Sequence, residues 1–489
     1  MQKQITTKER NTYIFAAAGQ GAIYAMISSW LLRYFTDVLA LELSFVMALM
    51  WFAKILNAFA DPVVGFIVDR THSRKGKMRP YLKYAPFIIS ILSILLFVNW
   101  HITSQAWRCI YVGITYVAWG IAYSVADVPL WGLPCAMTQD GEERDKLFSL
   151  AKFLNSLGGA LPTVVVSLLM SDKILGLESG IFYSALGIVV ISCIPFGMVY
   201  PNIHEKHYAN ERTQNVPIKT QMKLILTNKI LILVILCGII GFGRYLVQAA
   251  YTYAAEYVFF SGSPEVEEFK QVIGFAIIGI GMLPTMLLTP MLIKKYSYKW
   301  IMIYSGIFAA GVMTAFYFVE IVTNYNFYWA ILFLFLSGLP LGIINIVVTS
   351  IVGECVDYLE WKENIRLEGM TASMSTFMAK IGNALAAGII PLVLLVCGYV
   401  ENQVQTTHTK NAILMLISLI PAGSLLLSIV PMLFYDFVGK KRETALTELA
   451  QRRGVSVDEV EQKEESPVAQ VVGAVEESVK LNSEPDEND

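Results

Sequence analysis

Twelve runs of mostly apolar residues, centred near positions 25, 56, 91, 120, 160, 189, 241, 282, 310, 337, 385 and 424, follow one another with short polar connections between them. Each is long enough to cross a hydrocarbon core, which takes about 20 residues as a helix. A helix satisfies its own backbone in lipid, so the pattern predicts an all-α polytopic membrane protein with about twelve transmembrane helices. The polar stretch from Tyr200 to Lys223 divides these helices six and six. The expected organisation is a six-helix half over 1–200, a linker over 201–222, a second six-helix half over 223–437, and a polar, acidic tail over 438–489 read as one short helix and a disordered extension. Strong internal repetition is not visible, so the two halves rest on span count and loop placement. That layout suits transporters whose site lies at the midplane between pseudo-symmetric halves. The charged start (Lys3, Lys8, Glu9, Arg10) leads into a run too long for a cleavable signal.

Cations give the orientation. Alternate connections carry Arg70/Arg74/Lys75/Lys77/Arg79, Arg144/Lys146, Lys206/Arg212/Lys219/Lys223, Lys294/Lys295/Lys299, Lys362/Arg366 and Lys440/Lys441/Arg442, whereas the intervening loops hold single cations or none. The positive-inside rule then predicts a multi-pass protein of the cell (plasma) membrane with both termini cytoplasmic. Composition agrees with the class: 55% of residues are hydrophobic and only 16% charged, with mean hydropathy +0.54. The formal net charge of -2 provides no field for nucleic acid, and a monomer is expected in the bilayer. The six cysteines are scattered singly, without metal or disulfide spacing. No phosphate-cradling Gly-rich loop occurs, so no cofactor or enzymatic role is expected, and uphill transport would draw on an ion gradient.

Charges inside the runs carry the chemistry. Asp61 sits mid-run and is followed by Pro62, which removes a donor and frees a carbonyl. A carboxylate at membrane depth is costly unless it binds something. The bland alternative is an ion pair with Lys54, two turns earlier. Arg244, with Tyr245, Tyr251 and Tyr253 nearby in the seventh run, is placed on the path by membrane depth alone. The loop holding Asp69, Arg70, Arg74, Lys77 and Arg79 reads as a topology signal and a gate of salt bridges.

Asn57-Ala58-Phe59-Ala60-Asp61-Pro62, then Gly65, Asp69-Arg70-Thr71, Ser73-Arg74, Gly76-Lys77 and Arg79-Pro80, resembles the second-helix and loop signature of the glycoside-pentoside-hexuronide:cation symporters, the family of the melibiose permease. Tyr34-Phe35-Thr36-Asp37-Val38, Asp127-Val128-Pro129-Leu130-Trp131, Asp357-Tyr358, Glu360-Trp361-Lys362, Arg366 and Glu368-Gly369 agree with it in order, so the resemblance spans nearly everything before the tail. It implies a major facilitator fold, cation-coupled sugar uptake and alternating access. Asp61, with Asn57 one turn earlier on the same helix face, and Ser124 fall on the family's cation site. Asp127, Trp131, Lys152 and Lys380 fall on its sugar site, and Gln20, Gly21 and Thr376 complete the substrate set. Carboxylates and cations suit paired hydroxyls, and an aromatic face suits a sugar ring. Asp127 and Lys380 could alternatively neutralise each other, Trp131 could anchor at the interface, and Lys152 could snorkel to the surface.

Departures from the family pattern shape the expectation. Gly21, preceded by Gln20, stands where the permease has an acid that grips the sugar, and Asn57 and Ala60 leave Asp61 as the single charge where the permease has two acids. One carboxylate makes a poor Na⁺ cage and an adequate proton carrier, so H⁺ is favoured over Na⁺ as the coupling ion. The expected partners are a small sugar or glycoside, a coupling cation and the lipid bilayer. An uncoupled facilitator or lipid transporter on the same fold, or a sugar-binding membrane sensor, are the alternatives.

Overall fold

The computed structural model describes residues 5–71, 73, 75–170, 174–206, 217–259, 264–400 and 405–452. Twelve helices are long and apolar enough to cross a membrane: α1 (Thr7–Val38), α2 (Ser44–Asp69), α3 (Arg79–Leu96), α4 (Gln105–Met137), α5 (Gly141–Leu169), α6 (Gly176–Asn202), α7 (Lys229–Val258), α8 (Ile273–Lys295), α9 (Tyr298–Val322), α10 (Phe327–Glu363), α11 (Glu368–Val396) and α12 (Thr407–Leu433). No strand occurs among the described residues. Local chemistry sets the helix starts. Thr6 and Glu9 form a reciprocal capping box on α1, while Asp140 Oδ1 accepts from the Glu142 N–H at 3.0 Å to cap α5, so first-turn donors without helical partners are satisfied. A short helix, Ile218–Thr227, ends at Asn228, whose side chain caps α7 by accepting from the Leu231 N–H at 3.2 Å. That cap starts α7 at Lys229. Lys440–Arg452 is helical, and the acidic tail beyond it lies outside the described residues.

Buried apolar side chains form two separate cores, one drawn from Ile5 to Ile203 and one from Ile225 to Ala445. Large apolar residues such as Trp107, Ile191, Leu395 and Tyr328 remain exposed around the outside, as a lipid-facing belt requires. The repeat missing from the sequence shows in the backbone: α1 ends in a π-helical turn at Tyr34–Val38, and α7, first helix of the second half, ends in one at Ala254–Val258.

Two features of this fold position the site. At one membrane face, which carries the cationic loops, α2 crosses α11 so closely that a Cβ on Gly65 would lie 2.7 Å from the Gly369 carbonyl oxygen. Midway along, α7 breaks between Ile240 and Gly243. Ser424 of α12 bridges the break, its Oγ accepting from the Gly243 N–H at 2.8 Å and donating to the Ile240 carbonyl at 2.7 Å. Irregular backbone at membrane depth is tolerated where protein satisfies it in this way.

Candidate functional site

The i, i+4 spacing on α2 puts Asn57 and Asp61 on one face, and α11 delivers Lys380 to it from the other half. The Lys380 ammonium donates to Asp61 Oδ1 at 2.5 Å and to Ser124 Oγ of α4 at 2.8 Å, and it lies 3.4 Å from the Asn57 carbonyl oxygen. Asp61 is fully buried and Lys380 is 18% exposed. Three groups expected around a coupling cation therefore surround a tethered ammonium. Asp61 Oδ2 and Asn57 Oδ1 have no partner. The backbone oxygen drawn in is that of Asn57, not that of Ala58, the carbonyl Pro62 frees. Lys54, half-buried two turns away, makes no ion pair among the described residues, so the alternative partner for Asp61 is replaced by one from the opposite half.

Beside this group, Asp127 of α4 is buried and held from α1. Gln20 Nε2 donates to Asp127 Oδ1 at 2.7 Å and also contacts the Tyr123 hydroxyl, while its Oε1 accepts from Asn155 Nδ2 of α5 at 2.8 Å. Trp131 lies one turn on from Asp127, on the same face of α4. Lys152 of α5 places its ammonium 3.7 Å from the centroid of the Trp131 ring. It is therefore turned inward onto an aromatic face rather than snorkelling outward, and it covers one of the surfaces expected to receive a sugar ring. Tyr123 stacks on Trp119 with centroids 5.1 Å apart.

Three expected contacts are arranged differently. Lys380 pairs with Asp61 and not with Asp127, whose carboxylate is held by Gln20. Gly21 is a packing residue: a Cβ there would lie 2.4 Å from the Asn155 carbonyl oxygen and 2.7 Å from its Nδ2. Asn155 thus fills the space next to the position where the family carries an acid. Thr376 is buried one turn before Lys380, with its hydroxyl donating to the Ser373 carbonyl at 3.0 Å.

The cationic face is closed by a buried charge network. Lys77 Nζ lies 3.2 Å from Asp69 Oδ1 and 3.0 Å from Glu368 Oε2 of the other half. Asp69 accepts the Gly369 and Met370 N–H groups of α11 at 2.9 and 2.6 Å. Arg144 of α5 pairs with Asp357 of α10 at 3.0 Å, and Arg366 reaches Asp357, Glu360 and Glu368 at 3.4, 2.5 and 2.5 Å. Burial opposes the charge on Lys77, yet Glu368 and Asp69 outweigh it and hold the ammonium above its ordinary range. Of the loop residues expected to form the gate, Asp69 and Lys77 are in it. Arg79 stays within its own half, donating to the Tyr200 carbonyl at 2.6 Å. Arg70 is exposed over the Phe66 ring, 5.9 Å from its centroid, and Arg74 lies outside the described residues. Sequence reasoning missed Arg144 as a gate member and took Asp357, Arg366 and Glu368 only as family markers. It also missed Glu205, which accepts the N–H groups of Lys77, Met78 and Arg79 at 2.8–2.9 Å and so caps the start of α3.

Known proteins resemble this chain over most of its length. The family model described as MFS/sugar transport protein matches residues 12–438. The isoprimeverose transporter of Lactiplantibacillus pentosus is 25% identical over 92% of this chain and 93% of its own. The glucuronide carrier protein homolog of Escherichia coli (strain K12) is 25% identical over 93% of this chain and 98% of its own. Among solved structures, the major facilitator proton:xylose symporter bound to 6-bromo-6-deoxy-D-glucose superposes with a TM-score of 0.63 at 14% identity, covering 88% of this chain and 95% of that one. A match over most of its length, together with the twelve-helix fold, makes this chain a member of the MFS/sugar transport protein family, a multi-pass membrane transporter rather than an enzyme.

Proposed function

We propose that the protein is a cation-coupled symporter that carries a sugar or glycoside into the cell by alternating access, with H⁺ as the coupling ion and both termini cytoplasmic. The observation that carries the reading is the Lys380–Asp61 pair at 2.5 Å joining the two halves. Lys380 already occupies the groups that would hold a free cation. Sodium would have to expel it, whereas a proton on Asp61 removes the charge that keeps it there. Protonation therefore releases a contact between halves, and substrate engaging Asp127 and Lys152 supplies differential binding between the two states. On the positive-inside rule the closed, cationic face is the cytoplasmic one.

The test is uptake of radiolabelled sugars into proteoliposomes with pH and sodium gradients imposed separately. Accumulation driven by the pH gradient without sodium is the expected result. Strict sodium dependence would overturn proton coupling, and equilibration without accumulation under either gradient would overturn symport.

A further inference from the structure

We propose that Arg244 and Lys152 form an anion subsite, so that the transported sugar carries a carboxylate, as a uronic acid or a glycoside of one. The inference rests on the sugar-symport reading of the same site and narrows its substrate class.

Positive charge is left over at membrane depth. Lys380 and Lys152 act on Asp127, and Arg244 acts on Lys152. Lys380 is consumed by Asp61, but neither Lys152 nor Arg244 forms an ion pair among the described residues. Two neighbouring like charges in a buried site cost several kcal/mol unless an anion joins them. The positions that would have cancelled this charge are those where the family's acids are replaced, Gly21 and Asn57. A proton on Asp61 frees Lys380 and deepens the surplus.

Arg244 itself is held without an acidic partner among the described residues. It sits just past the break in α7, 5% exposed. Its terminal nitrogen donates to the neutral Gly238 carbonyl at 3.3 Å and the Tyr245 hydroxyl at 3.0 Å, and its Nε has no partner. The Tyr245 ring, 4.6 Å from the guanidinium carbon, fixes the plane of the fork. The buried arginines of the gate differ, since Arg144 and Arg366 hold carboxylates. A guanidinium held in plane with donors to spare is built for bidentate contact with a carboxylate. Lys152, parked over Trp131, supplies the second charge from the opposite half and uncovers the ring when it turns to the anion. An anion held between α5 and α7 then ties the halves together as the Lys380–Asp61 pair lets go.

The experiment compares methyl β-D-glucuronide with methyl β-D-glucoside, which differ only in carrying a carboxylate or a hydroxymethyl group, by counterflow with the full-length protein in proteoliposomes. Wild type is expected to prefer the glucuronide. In Arg244→Gln the ratio of the two affinities should fall about thirtyfold, the scale for removing one side of a buried charge pair, whereas Arg244→Lys should retain most of it. Thermal midpoints in detergent identify any variant that fails to fold, in which case Lys152→Gln reads the same ratio. Equal handling of both sugars, or transport of the glucoside alone, would overturn the anion subsite and leave sugar symport standing. Failure to carry any member of a panel of neutral and acidic sugars would overturn both.

Discussion

At the scale of single residues, a cation is built into the place where a coupling ion would sit. The Lys380 ammonium touches Asp61, Ser124 and the Asn57 carbonyl together, and under the proposed coupling a proton would exchange with it more simply than sodium would. Asp61→Asn is expected to abolish accumulation down an imposed gradient while substrate exchange persists, because Asp127, Lys152 and Gln20 are untouched. Wild-type accumulation by that variant would remove Asp61 from the coupling role. A double-mutant cycle on binding should give Asp61 and Lys380 a coupling of about 1–3 kcal/mol, and Asp127 and Lys380 a smaller one, since Lys380 makes its ion pair with Asp61 and Gln20 holds Asp127. The opposite ranking would mean that the Asp61 contact does not govern the working site. The acid on α2 and its i, i+4 neighbour are legible in the sequence because one helix fixes their geometry. The partner is not, because it lies 319 positions away and only tertiary packing chooses between Asp61 and Asp127 for it.

Elements were the easiest part of the chain to read and helix crossings the hardest. Lipid forces each apolar run to become a helix, so all twelve are legible. The break in α7 is not, since its stability depends on Ser424, 181 positions from Gly243. The small residues of α1 and α5 likewise gain meaning only from what they meet. A Cβ on Gly158 would stand 2.1 Å from the Ala18 carbonyl oxygen, a backbone atom that cannot turn aside, whereas one on Gly187 of α6 would meet nothing within 4 Å. Gly158→Ala should therefore cost about 1–3 kcal/mol through overpacking, and Gly187→Ala should stay within about 0.5 kcal/mol of wild type, both read from thermal unfolding in detergent. Equal shifts for the two would show that the α1–α5 crossing is looser than its geometry. The same crossing explains why an acid at position 21 is not simply missing: Asn155 has taken the space.

For the whole molecule, the decisive asymmetry is that all ion pairs joining the halves, among the described residues, lie at the cationic face or at the midplane. Asp69 and Lys77 are eight positions apart and suggested a gate in the sequence. Glu368 and Asp357 complete it from the second half, a pairing that no one-dimensional pattern contains. Alternating access requires this network to open, and its members are buried, so removing one charge strands another and costs about 3–5 kcal/mol in the closed state. The protein has its own reporter for that event. Cys135 is 3% exposed beneath the gate, and its carbonyl accepts from Arg366 at 3.0 Å. With the other five cysteines replaced, Glu368→Gln should remove the Lys77 ion pair between the halves and speed thiol labelling of Cys135 in membranes, by about tenfold or more for a shift of at least 1.4 kcal/mol between the two states. A substrate that favours the closed state should slow the labelling again. Labelling at the wild-type rate, in a variant whose transport is altered, would mean that the network holds loops together without setting the balance between the two faces.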